Sequence, residues 1–292
     1  MRITDGLALR FVQSSMAAGR AAGYDPMLRI ATGRQILRPV DDPVSADRIA
    51  QLDQRLAGLD RMNVARERLR TDLSLADSVL QAAADAVSDA HEMAIRMSND
   101  SMGPDERAAA AQGVRDLIKR VSDLLNTQTA DGRYLFAGTA DDQPAYDTTT
   151  GAYLGSTGNR QVEIAPGTMV DGAINGDQLF GSPSDLLATL DAFATALETN
   201  DVTGIRDSID NLEAQVHVVA QAQATVGFRL NGLDNAEDMV SQLELQWLGE
   251  RSALKDVDLT TEITSLSAAD TAYNAVLETS KRFLSMSLGR FL

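Results

Sequence analysis

From Leu59 to Met97 every third and then fourth residue falls on one stripe: Leu59, Met62, Arg66, Leu69, Leu73, Ala76, Leu80, Ala83, Val87, Ala90, Ala94 and Met97. Arg66 alone among them is not apolar. A 3/4 alternation places these side chains along one edge of a helix that packs lengthwise on another, so the spacing predicts a long helical rod. At a rise of about 1.5 Å per residue that rod is roughly 58 Å long. A second series alternates four and three: Ile205, Ile209, Leu212, Val216, Val219, Gln223, Val226, Leu230, Leu233, Glu237, Val240, Glu244 and Trp247. It predicts a partner rod. The alanines of the first seam would let the two axes approach closely, with larger residues of the second filling the space.

The chain ends are amphipathic too. Ile3, Leu7 and Phe11 recur every fourth residue and begin a helix. Gly19, Gly23 and Pro26 are expected to weaken or break it, with a restart from Met27 to Gly33, because glycine costs about 1 kcal/mol and proline about 3 in a helix interior. At the other end Leu259, Ile263, Leu266, Asp270, Tyr273, Leu277, Ser280 and Leu284 form a seam, followed by Leu288, Phe291 and Leu292. Apolar termini left in water are a liability, so the two end helices are expected to pair and to dock on something further.

Between these elements the punctuation is local. Gly33 suits a helix C-cap, Pro39 requires an extended neighbour, and Asp42-Pro43 is an N-cap followed by proline at the first helical position. Asp41 and Asp42 could also suggest a metal or acid/base pair, but no histidine or further carboxylate is near in sequence, which favours capping. Gly103-Pro104-Asp-Glu starts another helix, expected to run to about Thr129. From Arg133 the texture changes to Thr, Gly and Tyr: Pro144 to Leu154 reads as strand, turn, strand, and Arg160 to Ile164 alternates polar and apolar. Ser182-Pro183 and Asn200-Asp201 then start two more helices.

These elements predict a mainly α fold: a long antiparallel coiled-coil-like helical bundle built from the N- and C-terminal halves, with a small β-rich inserted domain. The boundaries read as an N-terminal assembly helix (1–40), a helical rod (41–132), the insertion (133–182), a second rod (183–250) and a C-terminal assembly helix (251–292).

Composition narrows the function. Aromatic residues make up only 4% of the chain, which suits helices packed through Ala, Leu and Val. A net charge of −16 argues against a nucleic-acid partner. The charge is uneven: residues 1–40 carry six Arg against two Asp, and residues 139–204 carry ten acids against Arg160. An acidic middle suits an outward-facing, solvated domain. The absence of cysteine excludes disulfides and thiolate sites. Residues 1–32 lack the 7–15-residue apolar run of a Sec signal, and no stretch reaches the roughly 20 apolar residues of a membrane helix. The two histidines, His91 and His217, have no partner ligand at helical spacing. Asp256 to Glu262 lacks the glycine and length of a calcium loop. No nucleotide fingerprint occurs, and neither catalysis nor a cofactor is expected.

Several of these stretches together resemble the flagellin superfamily: the basic first helix running into Ala31-Thr-Gly-Arg-Gln-Ile-Leu-Arg-Pro-Val-Asp-Asp-Pro43, the Asp131-Gly-Arg-Tyr-Leu-Phe-Ala-Gly138 segment, Val226-Gly-Phe-Arg-Leu-Asn231, and the apolar C-terminal helix. The prolines around Asp41-Asp42 and the short middle domain resemble its hook-filament junction branch more than filament flagellin. The resemblance implies a structural protein of the bacterial flagellum, exported unfolded without a cleaved signal. It implies self-association in the axial structure and contact with the other junction protein, flagellin and an export chaperone. The assembly interface would then comprise Ile3, Leu7, Phe11, Leu284, Leu288, Phe291 and Leu292. The loop Gly33, Pro39, Asp41, Asp42 and Pro43 would join it to a scaffold whose seam includes Leu59, Leu69, Leu73, Leu80, Val87, Leu212, Val216, Val219, Leu230 and Leu233. Filament flagellin is the nearest alternative, and a coiled-coil adhesin or sensor a distant one.

Overall fold

The computed structural model describes the backbone of residues 2–148, 151–180 and 184–288, and the side chains of 10–148, 151–179 and 186–282. In chain order the elements are α1 (Arg2–Thr32), α2 (Pro43–Met97), α3 (Pro104–Leu125), β1 (Gln161–Ala165), β2 (Thr168–Asp171), α4 (Gly176–Phe180), α5 (Ser184–Glu198), α6 (Val202–Lys255) and α7 (Leu259–Leu288). The fold is mainly α with a small β-rich insertion, as the periodicity predicts. Two compact units divide it: Leu59–Gln242, and Met1–Gly58 with Leu243–Leu292.

In the first unit α2 buries Leu59, Leu69, Leu73, Leu80 and Val87. The stripe is not uniform. Up to Leu73 it is a narrow seam, whereas from Ala76 onward Val79 and Ala86 are buried beside Ala76, Leu80, Ala83 and Val87, giving the wider apolar face of a helix in a bundle. α3 lies against the end of α2, where Met93 Cε stands 3.6 Å from the place a Cβ on Gly113 would occupy. α5 lies against α3, and Arg115 joins them by ion pairs to Asp191 and Glu198. The most extensive backbone approach in this unit is between α3 and α5, not between α2 and α6 as the alanine seam suggested.

α6 runs antiparallel to α2. Arg70 pairs with Asp234 and Glu237 at 2.6 Å each, and Gln81 bonds Gln223 at 3.0 Å, so partner numbers fall as α2 advances. Its buried stripe is offset from the expected one. Ile205, Leu212, Val219, Val226, Leu233 and Val240 are buried, but between them lie Ser208, Ala222 and Ala236, not Ile209, Gln223 and Glu237. Val216 and Leu230, expected in the seam, are half-buried on its flank. The small side chains let α6 settle on its neighbours, and the polar breaks at Gln223 and Glu237 become flank positions that reach Gln81 and Arg70.

The insertion folds on these helices. β1 and β2 form an antiparallel hairpin with Val162 opposite Val170. Pro166-Gly167 turns it, Gly167 taking the positive φ of 74° that position i+2 of a type II turn requires. The expected strands around Pro144 to Leu154 reduce to a single bridge between Tyr146 and Tyr153. α3 ends at Leu125, a turn before the expected Thr129, because Asn126 takes up both backbone groups of Tyr146, donating to its carbonyl at 3.0 Å and accepting from its N–H at 2.9 Å. The lone polar member of the α2 stripe is explained here: Arg66, 6% exposed, donates to the Ile164 carbonyl at 3.2 Å and to Asn63 at 2.7 Å. Arg133 bridges Asp72 of α2 and Asp141 of the insertion at 3.2 and 3.4 Å.

Tyr146 is fully buried, its ring 5.3 Å from that of Tyr153, whose hydroxyl donates to the Phe136 carbonyl. Burial pushes the Tyr153 phenol up to about 12 and Tyr146 higher still. Because these folded-state values lie above the ordinary value of about 10, the stability they carry is complete below pH 10 and is lost as pH rises toward 12. Alkaline titration followed at 295 nm is therefore expected to show Tyr146 and Tyr153 ionising only well above pH 10, together with loss of the insertion's native signal. Ionisation of these two phenols near pH 10 in the folded chain, traced with Tyr146→Phe and Tyr153→Phe variants, would contradict this.

Candidate assembly surface

In the second unit α1 is one unbroken helix from Arg2 to Thr32 with Pro26 inside it, which corrects the expected break. The reason lies in its antiparallel partner α7. The half-buried positions of α1 include a 4/3 series, Val12, Met16, Gly19, Gly23, Pro26 and Ile30, flanked by Ser15, Leu28 and Arg29. A Cβ on Gly19 would lie 3.1 Å from Tyr273 Cδ2, and one on Gly23 would lie 3.8 Å from Leu266 and 3.9 Å from Ala269. The two glycines, four apart, allow the close approach that compensates their poor helix propensity. Arg20 sits over the Tyr273 ring and donates to its hydroxyl at 3.0 Å, while Arg29 pairs with Glu262 at 3.0 Å.

On α7 the inward positions are Glu262, Leu266, Ala269, Tyr273, Val276 and Ser280. The expected series shares Leu266, Tyr273 and Ser280 but is again displaced by one residue at alternate positions. Ile263 and Asp270 are exposed, and Leu277 is half-buried.

Among the residues expected at an assembly interface, Phe11 is 72% exposed and lines a groove of about 400 Å³ with Val12, Ser15, Ala275, Val276, Thr279 and Ser280. Tyr24, Met27, Leu259 and Ile263 add exposed apolar surface. The side chains of Ile3, Leu7, Leu284 and Leu288, and all of Phe291 and Leu292, lie outside the described residues.

The loop between α1 and α2 is tied down by backbone. Gly33 adopts φ 66° and accepts from Val257 N–H at 3.1 Å, while Gln35 N–H donates to the Lys255 carbonyl at 2.8 Å. The α1–α2 loop thus pairs with the α6–α7 turn. Pro39 lies within a tight turn in which Asp41 accepts from the Arg38 N–H at 3.0 Å and pairs with its guanidinium at 3.1 Å. Asp42 accepts from Ser45 N–H at 3.1 Å and caps α2, whose first residue is Pro43. Hydrogen bonds from Ser45 hold the Asp42 carboxyl below the ordinary carboxylate range. The depressed value means that the cap is strongest above about pH 4 and weakens as pH falls through it. Asp42→Ala is expected to speed amide exchange at Ser45 and Ala46, and Asp42→Asn to leave it near wild type, since the amide oxygen still accepts; equal exchange in both variants would contradict the capping role. At the other turn Asp258 caps α7 through the Thr260 N–H at 2.9 Å.

Three contacts in this unit had no local sequence signal: Arg48 with Glu250, Arg251 with Asp53 at 3.1 Å, and Arg55 over the Trp247 ring at 5.6 Å. Each joins α2 to α6 across some 200 residues of chain. Among the described residues no cluster of three His, Asp or Glu could hold a metal ion, and no helix is long and apolar enough to cross a membrane.

Comparison with known proteins agrees with this architecture. The bacterial flagellin N-terminal helical region matches residues 8–141. Flagellar hook-associated protein 3 of Escherichia coli is 28% identical over 85% of this chain and 86% of its own length. The protein of that name from Salmonella typhimurium is 29% identical over 99% of this chain and 98% of its own length. Among solved structures, FlgL of Bacillus cereus superimposes with a TM-score of 0.61 at 18% identity, covering 69% of this chain and 99% of the other. At that identity it supports the fold alone.

Proposed function

The chain belongs to the flagellin superfamily, and from that premise we propose that it is the structural adaptor at the junction between hook and filament of a bacterial flagellum. The observation that carries the proposal is its similarity, over nearly the whole length of both chains, to a hook-associated protein 3. The family is a structural one. Filament flagellin, the nearest alternative, is less well supported, because both curated relatives are hook-associated proteins.

In this reading residues 1–40 and 251–292 are the assembly helices, residues 41–132 and 183–250 the rods, and residues 133–182 an outward acidic domain. The paired α1 and α7, with Phe11 at their groove, bury their apolar faces against neighbouring subunits, and Ile3, Leu7, Leu284, Leu288, Phe291 and Leu292 are the other residues assigned to that interface from the sequence. That burial offsets the entropy of ordering. The neighbours are further copies of this chain, the other junction protein and flagellin, and an export chaperone would hold the chain before assembly.

Immunolabelling of flagella is expected to place signal at the hook-filament boundary alone; signal along the filament would identify a flagellin instead. Deleting residues 280–292 is expected to leave the α2–α6 scaffold helical by circular dichroism but to abolish filament-bearing flagella. Normal flagella in the deletion strain would overturn the role given to the terminal helices.

A further inference from the structure

We propose that residues 59–242 hold a binding site for a small hydroxylated carboxylate, the chemistry of an acidic sugar, in the cavity between α2, the loop after α3 and the base of the β1–β2 hairpin. Such a site is a property of the folded chain itself and stands whatever its place in the flagellum.

The insertion is acidic, but its positive charge is gathered in one place. Residues 133–182 contain two basic side chains, Arg133 and Arg160, against six acids. Both arginines line the same cavity, of about 330 Å³, and α2 adds a third, Arg68. Guanidinium groups from three separate stretches of chain thus converge on a space of the size that holds a small ligand. The wall also carries two carboxylates, Asp72 and Asp131, which leaves a surplus of one positive charge among the lining groups. Asp72, 17% exposed, is taken by Arg133 at 3.2 Å, whereas Asp131 is 77% exposed at the rim and stands 3.8 Å from Arg133. Asp141 does not line the cavity; it is shared behind the wall by Arg133 at 3.4 Å and Arg160 at 3.5 Å.

The three arginines differ in what they have left to give. Arg133 is committed to Asp72 and Asp141. Arg160 reaches the Gly172 carbonyl at 3.2 Å and Asp141 only at 3.5 Å, so part of its fork is free. Arg68 has no ion-pair or side-chain hydrogen-bond partner among the described residues, unlike Arg66 and Arg70 on the same helix. Its natural partner, Asp72 four residues on, is turned to Arg133 instead. Two guanidiniums with unused donors, Arg68 and Arg160, match the planar geometry of a carboxylate. Asp131 at the rim and Asp72 on the wall accept from hydroxyl groups and disfavour a dianion, so a singly charged, hydroxylated acid fits better than phosphate. An uncharged sugar would leave the surplus arginine unanswered. Leu69 and Val162 give the wall its apolar surface, against which the carbon skeleton of such a ligand can lie.

Calorimetric titration of the full chain with glucuronate, galacturonate, glucose and inorganic phosphate tests the site. At least one of the two uronates is expected to bind saturably, and roughly tenfold or more tighter than glucose or phosphate. Arg68→Ala and Arg160→Ala are each expected to weaken that binding roughly tenfold with unchanged circular dichroism. Arg68→Ala is the cleaner of the two, because its side chain holds nothing else in place among the described residues. Nuclear magnetic resonance is expected to show the Nε–H signals of Arg68 and Arg160 moving on addition of the uronate. Absence of saturable binding by both uronates overturns the site. Equal binding of phosphate overturns the ligand class, and equal binding of glucose overturns the guanidinium clamp. Undiminished uronate binding by folded Arg68→Ala places the ligand elsewhere and overturns the assignment.

Discussion

Arg107→Ala is expected to destabilise the Leu59–Gln242 unit by about 3 kcal/mol, more than any surface substitution in it. Arg107 is 4% exposed and has no carboxylate partner among the described residues. Its guanidinium donates to the carbonyls of Met97 and Asn99, each at 3.0 Å, and to the side-chain oxygen of Asn200 at 2.6 Å. The first acceptor is the last residue of α2 and the second lies in the turn just after it, at the end where helix carbonyls lack intrahelical partners and the macrodipole is negative, so the cation is held at the terminus itself. The third belongs to the turn between α5 and α6, whose Asn200 adopts φ 53°. One side chain on α3 therefore closes two helix ends, and truncation takes a donor from three acceptors, of which the Asn99 carbonyl keeps the Met102 N–H at 3.1 Å, and leaves a cavity beside them. Arg107→Met restores much of the volume but none of the hydrogen bonds and is expected to recover less than half of the loss; Arg107→Lys, a single-point donor, should fall between. Trp247 lies in the other unit, so amide exchange in residues 59–242 is the appropriate readout. Protection within about 0.5 kcal/mol of wild type in Arg107→Ala would show that the buried cation contributes little net stability.

Gly19→Leu is expected to separate α1 from α7. A Cβ alone would stand 3.1 Å from Tyr273 Cδ2 and 3.6 Å from its Cα, so a larger side chain must push the helices apart or displace the Tyr273 ring and the Arg20 stacked on it. Overpacking of this kind costs about 1–3 kcal/mol, and here it falls on a pair whose inward positions, Glu262 and Ser280 apart, are half-covered. The expected result is rapid proteolysis after Arg20 and Arg29, unchanged amide exchange in residues 59–242, and loss of the chain from flagella. Gly19→Ala sets a helix-propensity gain of about 1 kcal/mol against a small shift of the ring and should be nearly neutral. Gly23→Ala meets only ordinary van der Waals distances and should be tolerated. Incorporation of Gly19→Leu at wild-type levels would show that the close approach of α1 and α7 is not needed for assembly.

The polar breaks in the predicted stripes turned out to be informative. Arg66 marks where the insertion docks, through Ile164, and Gln223 and Glu237 mark where α6 reaches across to α2. A sequence shows that such a residue interrupts a pattern, but its partner is 98 or more residues away and carries no local trace. Arg107 likewise carries no local trace of its role: its only sequence feature is its place in the first turn of α3, while Asn200 is 93 residues away. The caps were legible for the opposite reason. Asp42, Asp201 and Asp258 each bond N–H groups two or three residues ahead, a geometry set by the adjacent backbone alone.

Amino-acid order by itself determined the helical period, the antiparallel sense of the two long rods, the caps and the resemblance to the flagellin superfamily. It did not determine the phase of the seams. In α6 and α7 a 4/3 and a 3/4 alternation share every seventh residue, so Leu212 or Tyr273 belongs to both, and the choice falls between Gln223 and Ala222, or between Ile263 and Glu262. Hydrophobicity favours the larger apolar residue at several of these positions, as with Ile263 over Glu262. Tertiary packing chose the smaller one or the one with a partner, because alanine, serine and glycine bring backbones together and Glu262 has Arg29 to meet. Continuity of α1 was decided in the same way: glycine weakens an isolated helix but admits a neighbour, and only the neighbour, 250 residues further along the chain, shows which effect wins.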